Sequence, residues 1–418
     1  MRFSRVGWVA LGGCAVAALA FPALSQGGSA PVARYTVDAG TTSGMAAMGA
    51  GGGGVGAAMA MLRGGGGQVV HELQLRLGST RAPAGEPRAD HFLPQGTGLG
   101  QSVPLETPPP PRAGRAEPGE MPQQGQLPRG RLLLFWGCGE HAPAGQPVVI
   151  DFSKLAQGQV PPGLYASGLN LPEDWEVRQS NATTFGEWPN RRDSKPVPAN
   201  ASLLGAHRIA SSYAPEISFT LADDFMPPLQ PTSRELPSGA VDLRWNALPK
   251  ATGYYAWAMG ARMDESGDAP RDMVWWASSA TQSFGGALAD WLSPAAVSRL
   301  VADRTVMPPS QTNCTVPAEV KQAGGEMLMT QLYGYGPQAD FAYPPRPADS
   351  RVAWRPEWIA RVRFRANASV MLGMPAMGGF ETDDSDRAAE SDRAPQQSKP
   401  KCPGGLTGRA MRAAGVCE

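Results

Sequence analysis

The segment RLLLFWGCGEH, residues 131–141, is where the chain looks most like an active site, because Cys138, Glu140 and His141 follow directly on an apolar run. Cysteine beside imidazole admits three chemistries: an activated thiolate, a metal ligand, or one half of a disulfide. A Cys–His dyad needs the ring within hydrogen-bond reach of sulfur, which sequence neighbours achieve only in a tight turn. Metal centres usually gather three or four ligands at Cys-x-x-Cys or His-x-x-x-His spacing, and the remaining histidines, His71, His91 and His207, are scattered along the chain. Cysteine count favours the disulfide. Removal of an export leader takes Cys14 and leaves Cys138, Cys314, Cys402 and Cys417, an even set for an oxidising compartment. Of the three possible pairings, Cys402 with Cys417 closes a short loop and leaves Cys138 to Cys314 as a long-range bond. A free or metal-bound Cys138 is the alternative.

Methionine placement suggests a second chemistry. Met371, Met374 and Met377 stand at three-residue spacing in MLGMPAM, and Met45 with Met48 repeats the idea in a Gly-rich tract. Thioethers are soft ligands that select Cu(I); the plainer reading is that flexible Met side chains fill apolar gaps or decorate loops. Arg361, Arg363 and Arg365 alternate with Val362 and Phe364, so they share one face of a strand. Such a row could hold an anionic lipopolysaccharide or the acidic stretch 381–386, or it could be the solvated face of an edge strand. GAGGGG at 49–54 satisfies G-x-G-x-x-G by composition alone, without the strand-turn-helix context that a dinucleotide site needs. Gly-x-Ser-x-Gly and His-Glu-x-x-His do not occur, and the carboxylate pair Asp223–Asp224 sits in a turn-like context.

The start of the chain bears on the compartment. Arg2 and Arg5 precede the apolar run VGWVALGGCAVAALAF, and Ala23 and Ser25 supply the small residues of a cleavage site before Gln26. This reads as a secretory signal peptide over 1–25, with a lipid anchor on Cys14 of LGGC as the alternative. Lys plus Arg equal Asp plus Glu at 37 each, so nothing in the net charge favours nucleic acid. The uncharged stretch 44–62 is long enough to span a bilayer, but glycine dominates it and supplies little apolar area. A surface loop is expected there.

Strand-like runs carry the rest. VARYTVDAGT (32–41) and QVVHELQLRLGS (68–79) predict a hairpin with an oversized tip, the second strand alternating Val69, His71, Leu73, Leu75 and Leu77 with a polar set. Proline density over 80–130 argues against ladders there. From 131 onward RLLLFWG, QPVVIDFS, DWEVRQS, AHRIASSY and EISFTLADDF read as short strands with frequent turns. Ser293 caps a predicted helix with Pro294 at its first position and Val297, Leu300 and Val301 as its apolar stripe.

AVDLRWNALPKATGYYAWAMGA, residues 240–261, resembles the B and C strands of a fibronectin type III or related Ig-like domain. Val241, Leu243 and Trp245 share one face, and Trp245 is expected to pack across the sandwich on Tyr255, Trp257 and Met259. The resemblance implies a spacer or adhesion module; the helix at 293 departs from it. The whole chain is also similar in character to exported, uncharacterised proteins of Gram-negative bacteria, which implies no activity.

The expected fold is mainly β: two sandwich-like domains with one short helix, long Gly/Pro-rich loops and a disordered C-terminal tail. The expected boundaries are 1–25 signal peptide, 26–130 N-terminal strands with the loop and linker, 131–230 first β-domain, 231–370 fibronectin/Ig-like domain, and 371–418 tail. The expected role is an exported, envelope-associated structural or interaction protein without catalysis or cofactor. Its partner would be an envelope or extracellular protein or a glycan, with no nucleic acid and no stable membrane span after cleavage. A periplasmic copper protein using Met45, Met48, Met371, Met374 and Met377 is the first alternative, and a secreted hydrolase with dispersed site residues is the second.

Overall fold

Alternation of apolar and polar residues at period two dictates extended strands, and in the computed structural model sixteen of them, among the described residues, form three sheets. The structure describes residues 30–45, 47, 69–109, 130–156, 176–265, 270–325, 328–349 and 351–372. The largest sheet has nine strands in the order β6 (Val148–Asp151), β5 (Arg131–Trp136), β13 (Pro270–Ala277), β12 (Gly253–Met263), β15 (Leu328–Tyr343), β16 (Trp358–Leu372), β1 (Ala33–Gly44), β2 (Val69–Ser79) and β7 (Thr184–Trp188). A three-stranded sheet holds β10 (Thr232–Glu235), β11 (Val241–Arg244) and β14 (Asn313–Val316). A four-stranded sheet holds β4 (Ser102–Pro104), β3 (Ala89–Phe92), β8 (Gly205–Ser211) and β9 (Ile217–Leu221). The described helices are α1 (Phe152–Ala156), α2 (Pro294–Ala302) and α3 (Ala318–Gly324).

Both small sheets cover the same side of the large one. Tyr35 of β1 meets His91 of β3, and Trp245, just past β11, meets Tyr254 of β12 with ring centroids 5.5 Å apart. One apolar cluster runs through both interfaces: Tyr35, Val37, Leu75, Leu77 and Ile209 at one end, Val241, Leu243, Tyr254, Trp276 and Leu332 at the other. On the opposite side, the 284–306 insertion packs Leu288, Leu292, Val297 and Leu300 on Tyr255, Tyr333 and Tyr335. The helix expected there is α2, and the Ser293 hydroxyl accepts from the Ala296 N–H at 3.2 Å as its cap.

The large sheet crosses the boundary expected at 230. Antiparallel pairing within each half is joined by two parallel ladders, β1 along β16 and β5 along β13, and every described residue belongs to one compact unit. At the second junction the backbone must come close. Gly130 has φ +96°, and a Cβ there would stand 2.5 Å from the Pro270 carbonyl oxygen and 2.6 Å from that of Arg271.

The predicted β1–β2 hairpin forms, with Ser43 opposite Val69. Other expectations need correction. Residues 80–130, read as free of ladders, contain β3 and β4, because Pro94 and Pro104 fall at strand ends and leave Ala89, His91 and Val103 to alternate inward. Of DWEVRQS, the described residues 176–180 form no strand and lead into a 3-10 turn at Gln179–Asn181. Met371 and Leu372, expected in the tail, belong to β16, and the rest of the expected tail, 373–418, lies outside the described residues. Three helices are described where one was expected. The signal peptide 1–25, Cys14, Met48, GAGGGG, Met374, Met377, Cys402 and Cys417 lie outside the described residues.

Candidate functional site

Cys138 and Cys314 form a disulfide with Cα atoms 5.1 Å apart. It ties the turn after β5 to β14, and so links the edge region of the large sheet to the three-stranded sheet. The neighbouring polar groups serve the same junction: His141 Nδ1 lies 3.1 Å from Glu319 Oε1, and Glu319 Oε2 accepts the Ala142 N–H at 2.9 Å. With its sulfur bonded, Cys138 offers neither a thiolate nor a metal donor.

The arginine row has an origin that differs from the edge-strand reading. β16 is internal, flanked by β15 and β1, and its Arg363 is 8% exposed. In the parallel register Arg363 stands opposite Asp38, a fully buried carboxyl. Arg363 Nε and a terminal nitrogen donate to the two Asp38 oxygens at 2.7 and 3.0 Å, and Arg76 adds a third bond at 2.9 Å. Burial pushes the Asp38 carboxyl up from its usual range while the Arg363 and Arg76 guanidiniums pull against it. From there the network runs along β2, with Arg76 donating to Gln74 and Gln74 to Glu72. It then returns to β16, where Arg365 donates to Glu72 at 3.3 Å and to the Ala289 carbonyl at 2.5 Å. The Arg365 guanidinium lies 4.0 Å from the centre of the Trp291 ring. Arg361 pairs with Asp340 at 2.8 Å. These arginines hold partners within the fold; the acidic stretch 381–386 lies outside the described residues.

Beside this network, a cleft of roughly 470 Å³ opens where β7 parts from β2. β7 pairs with β2 only from Leu75 to Ser79, and the chain rejoins at a single bridge between His71 and Val197. Glu72, Gln74, Arg76, Glu187 and Lys195 line the gap. Burial raises the Glu187 carboxyl, with Arg76 opposing.

Histidines that look scattered in sequence meet in the fold. The His207 Nε2–Leu203 carbonyl contact at 2.7 Å makes Nε2 the donor, so Nδ1 accepts from His91 Nε2 at 3.0 Å. His91 Nδ1 then accepts from the Tyr35 hydroxyl at 2.7 Å. With both rings neutral every ring nitrogen has a partner, and burial lowers both pKa values, that of His91 well below the usual imidazole range. Inward positions on β3 and β8 were the available signal; their partnership across the sheet was not.

The carboxylates Asp223 and Asp224 diverge. Asp223 pairs with Lys250, while Asp224 takes the Ser202 hydroxyl at 2.5 Å and the Leu203 N–H at 2.8 Å. Among the methionines, Met45 is 38% exposed just past β1, and Met371 lies near the end of β16. Met371 is opposite Met329, and Met329 is opposite Met259, so the structure adds two thioethers that spacing along the chain did not suggest. Against known proteins, the chain matches no family model, no curated relative and no solved structure.

Proposed function

We propose that this is an exported, envelope-associated structural or interaction protein that works without catalysis. One observation carries the reading: the cysteine, arginine and aspartate side chains singled out by the sequence are spent on mutual, structural bonds. Cys138 is in a disulfide, Arg363 clamps Asp38, and Asp223 and Asp224 hold Lys250 and the Ser202–Leu203 turn. The strand arrangement of 232–372 supports a fibronectin type III-like module within this scaffold. Three strands, β10-β11-β14, face four, β13-β12-β15-β16, with antiparallel pairing throughout and the strands of the 240–261 segment in opposite sheets. The inserted α2 covers the outer side of that module.

A disulfide between residues so far apart in sequence fits an oxidising compartment such as the periplasm. The test is fractionation of cells making the full chain, followed by differential alkylation. The expected result is protein in the envelope or periplasmic fraction with Cys138 and Cys314 protected. Recovery of folded chain from the cytosol with both thiols alkylated overturns the proposal.

A further inference from the structure

The outer face of the large sheet changes character along the strands. Where β1, β2 and β16 carry Asp38, Gln74 and Arg363, it is ionic; toward the other end of β12, β15 and β16 it becomes sulfurous and aromatic. Met371, Met329, Met259 and Trp275 are successive cross-strand partners on β16, β15, β12 and β13. Met259 and Met329 are 39% and 44% exposed, although a methionine side chain in water loses the burial that usually justifies it. One row earlier Trp257 lies opposite Gln331 and Ala277 on the same face.

We propose that Met259, Met329 and Met371 form a binding site for a soft monovalent metal ion, Cu(I) in biology. Neighbouring strands are about 4.8 Å apart, so the outer two side chains stand about 9.6 Å from one another with the third between them. Flexible thioethers leaning inward bring three sulfurs to about 4 Å of each other, the spacing that three metal–sulfur bonds of about 2.3 Å require. Neutral thioethers select Cu(I) over harder divalent ions, and the ion keeps its charge compensated by solvent anions at an exposed face. The sheet supplies what loop methionines lack, a fixed register that sets three sulfurs side by side before the ion arrives. Met45 leaves β1 immediately after Gly44, whose partner on β16 is Ser369, two residues from Met371. A fourth thioether is therefore anchored at the same sheet end.

The test uses the full chain with its free thiols alkylated, so that no thiolate competes. Cu(I), kept reduced with ascorbate under argon, is titrated against a chromogenic Cu(I) chelator, and Ag(I) serves as a redox-inert probe read by tryptophan fluorescence from Trp257 and Trp275. One ion per chain is expected, with quenching that saturates at the same stoichiometry. Leucine preserves size and apolarity, so Met259→Leu/Met329→Leu/Met371→Leu keeps the fold, which circular dichroism verifies. Each single replacement is expected to weaken binding by at least the roughly 10- to 100-fold that even outer-shell changes cost a metal site. The triple variant is expected to abolish binding. Met263→Leu, exposed on the same strand but beyond the register shift at Arg262/Met263, is expected to bind as the parent does. A parent chain that takes up no Cu(I), a triple variant that binds unchanged, or loss only on replacing Met374 and Met377 overturns the site.

Discussion

Opening the Cys138–Cys314 bond measures how far the two ends of the fold act together. The bond spans a sequence separation of 176, and closing so long a loop in the denatured chain removes entropy worth about 5 kcal/mol at room temperature. Because the large sheet runs unbroken from β6 to β7, that sum is expected in one unfolding transition. Guanidinium unfolding with and without a phosphine reductant, in a C402S/C417S background, isolates this one bond without creating a cavity. The free energy follows from midpoint and slope, and the reduced chain is expected to show a larger slope because its denatured state expands. A change below about 1 kcal/mol would refute the reasoning, since the loop-closure argument could then not describe this chain. Two separate transitions, only one of them shifted, would refute the single cooperative unit.

Three further outcomes follow from the buried polar groups and the tight junction. Arg363→Ala leaves Asp38 buried and paired with Arg76 and is expected to cost about 3–5 kcal/mol, against less than about 1 kcal/mol for Arg361→Ala, whose partner Asp340 is half exposed; urea midpoints decide it. The lowered pKa values of His91 and His207 mean that the unfolded chain takes up protons first, so their contribution is intact above about pH 6.5 and is lost as pH falls below it. Urea midpoints at neutral and mildly acidic pH should show a slope of up to about 1.4 kcal/mol per pH unit for each ring, and His91→Gln should flatten it. Gly130→Ala, which drives a Cβ into the Pro270 and Arg271 carbonyls at positive φ, is expected to lower stability by about 2 kcal/mol or more and to loosen the β5–β13 ladder in thermal melts.

Most strands could be read from the sequence because period-two burial is a local property. Leu73, Leu75 and Leu77 announce β2, and Ser293 with Pro294 announces α2, from neighbours alone. Phase across a turn is not local. Trp245 was expected to meet Tyr255, Trp257 and Met259, but it meets Tyr254, whose alternate face joins Ala256 and Ala258 in the main core, while Tyr255 turns to the α2 side. Both faces of β12 are aromatic and apolar, so periodicity gave no sign of which one looked toward β11. The arginine row was legible as a row, yet its burial depended on a parallel partner more than 300 residues away, Asp38 at |i−j| of 325. The methionine row has the same character: three residues unrelated in sequence become neighbours only through register. Chain separation, not weak local signal, hid the parts of the site that matter.

The architecture depends most on β16 being an internal strand, since that burial pairs Arg363 with Asp38 and sets β1 beside the methionine row. Residue-resolved hydrogen exchange over 359–369 tests it directly. With β15 on one side and β1 on the other, successive amides donate alternately to the two neighbours, and the entire run is expected to exchange slowly. If every second amide exchanged at the rate of an open strand edge, β1 would not be seated there, and the continuous sheet would be contradicted.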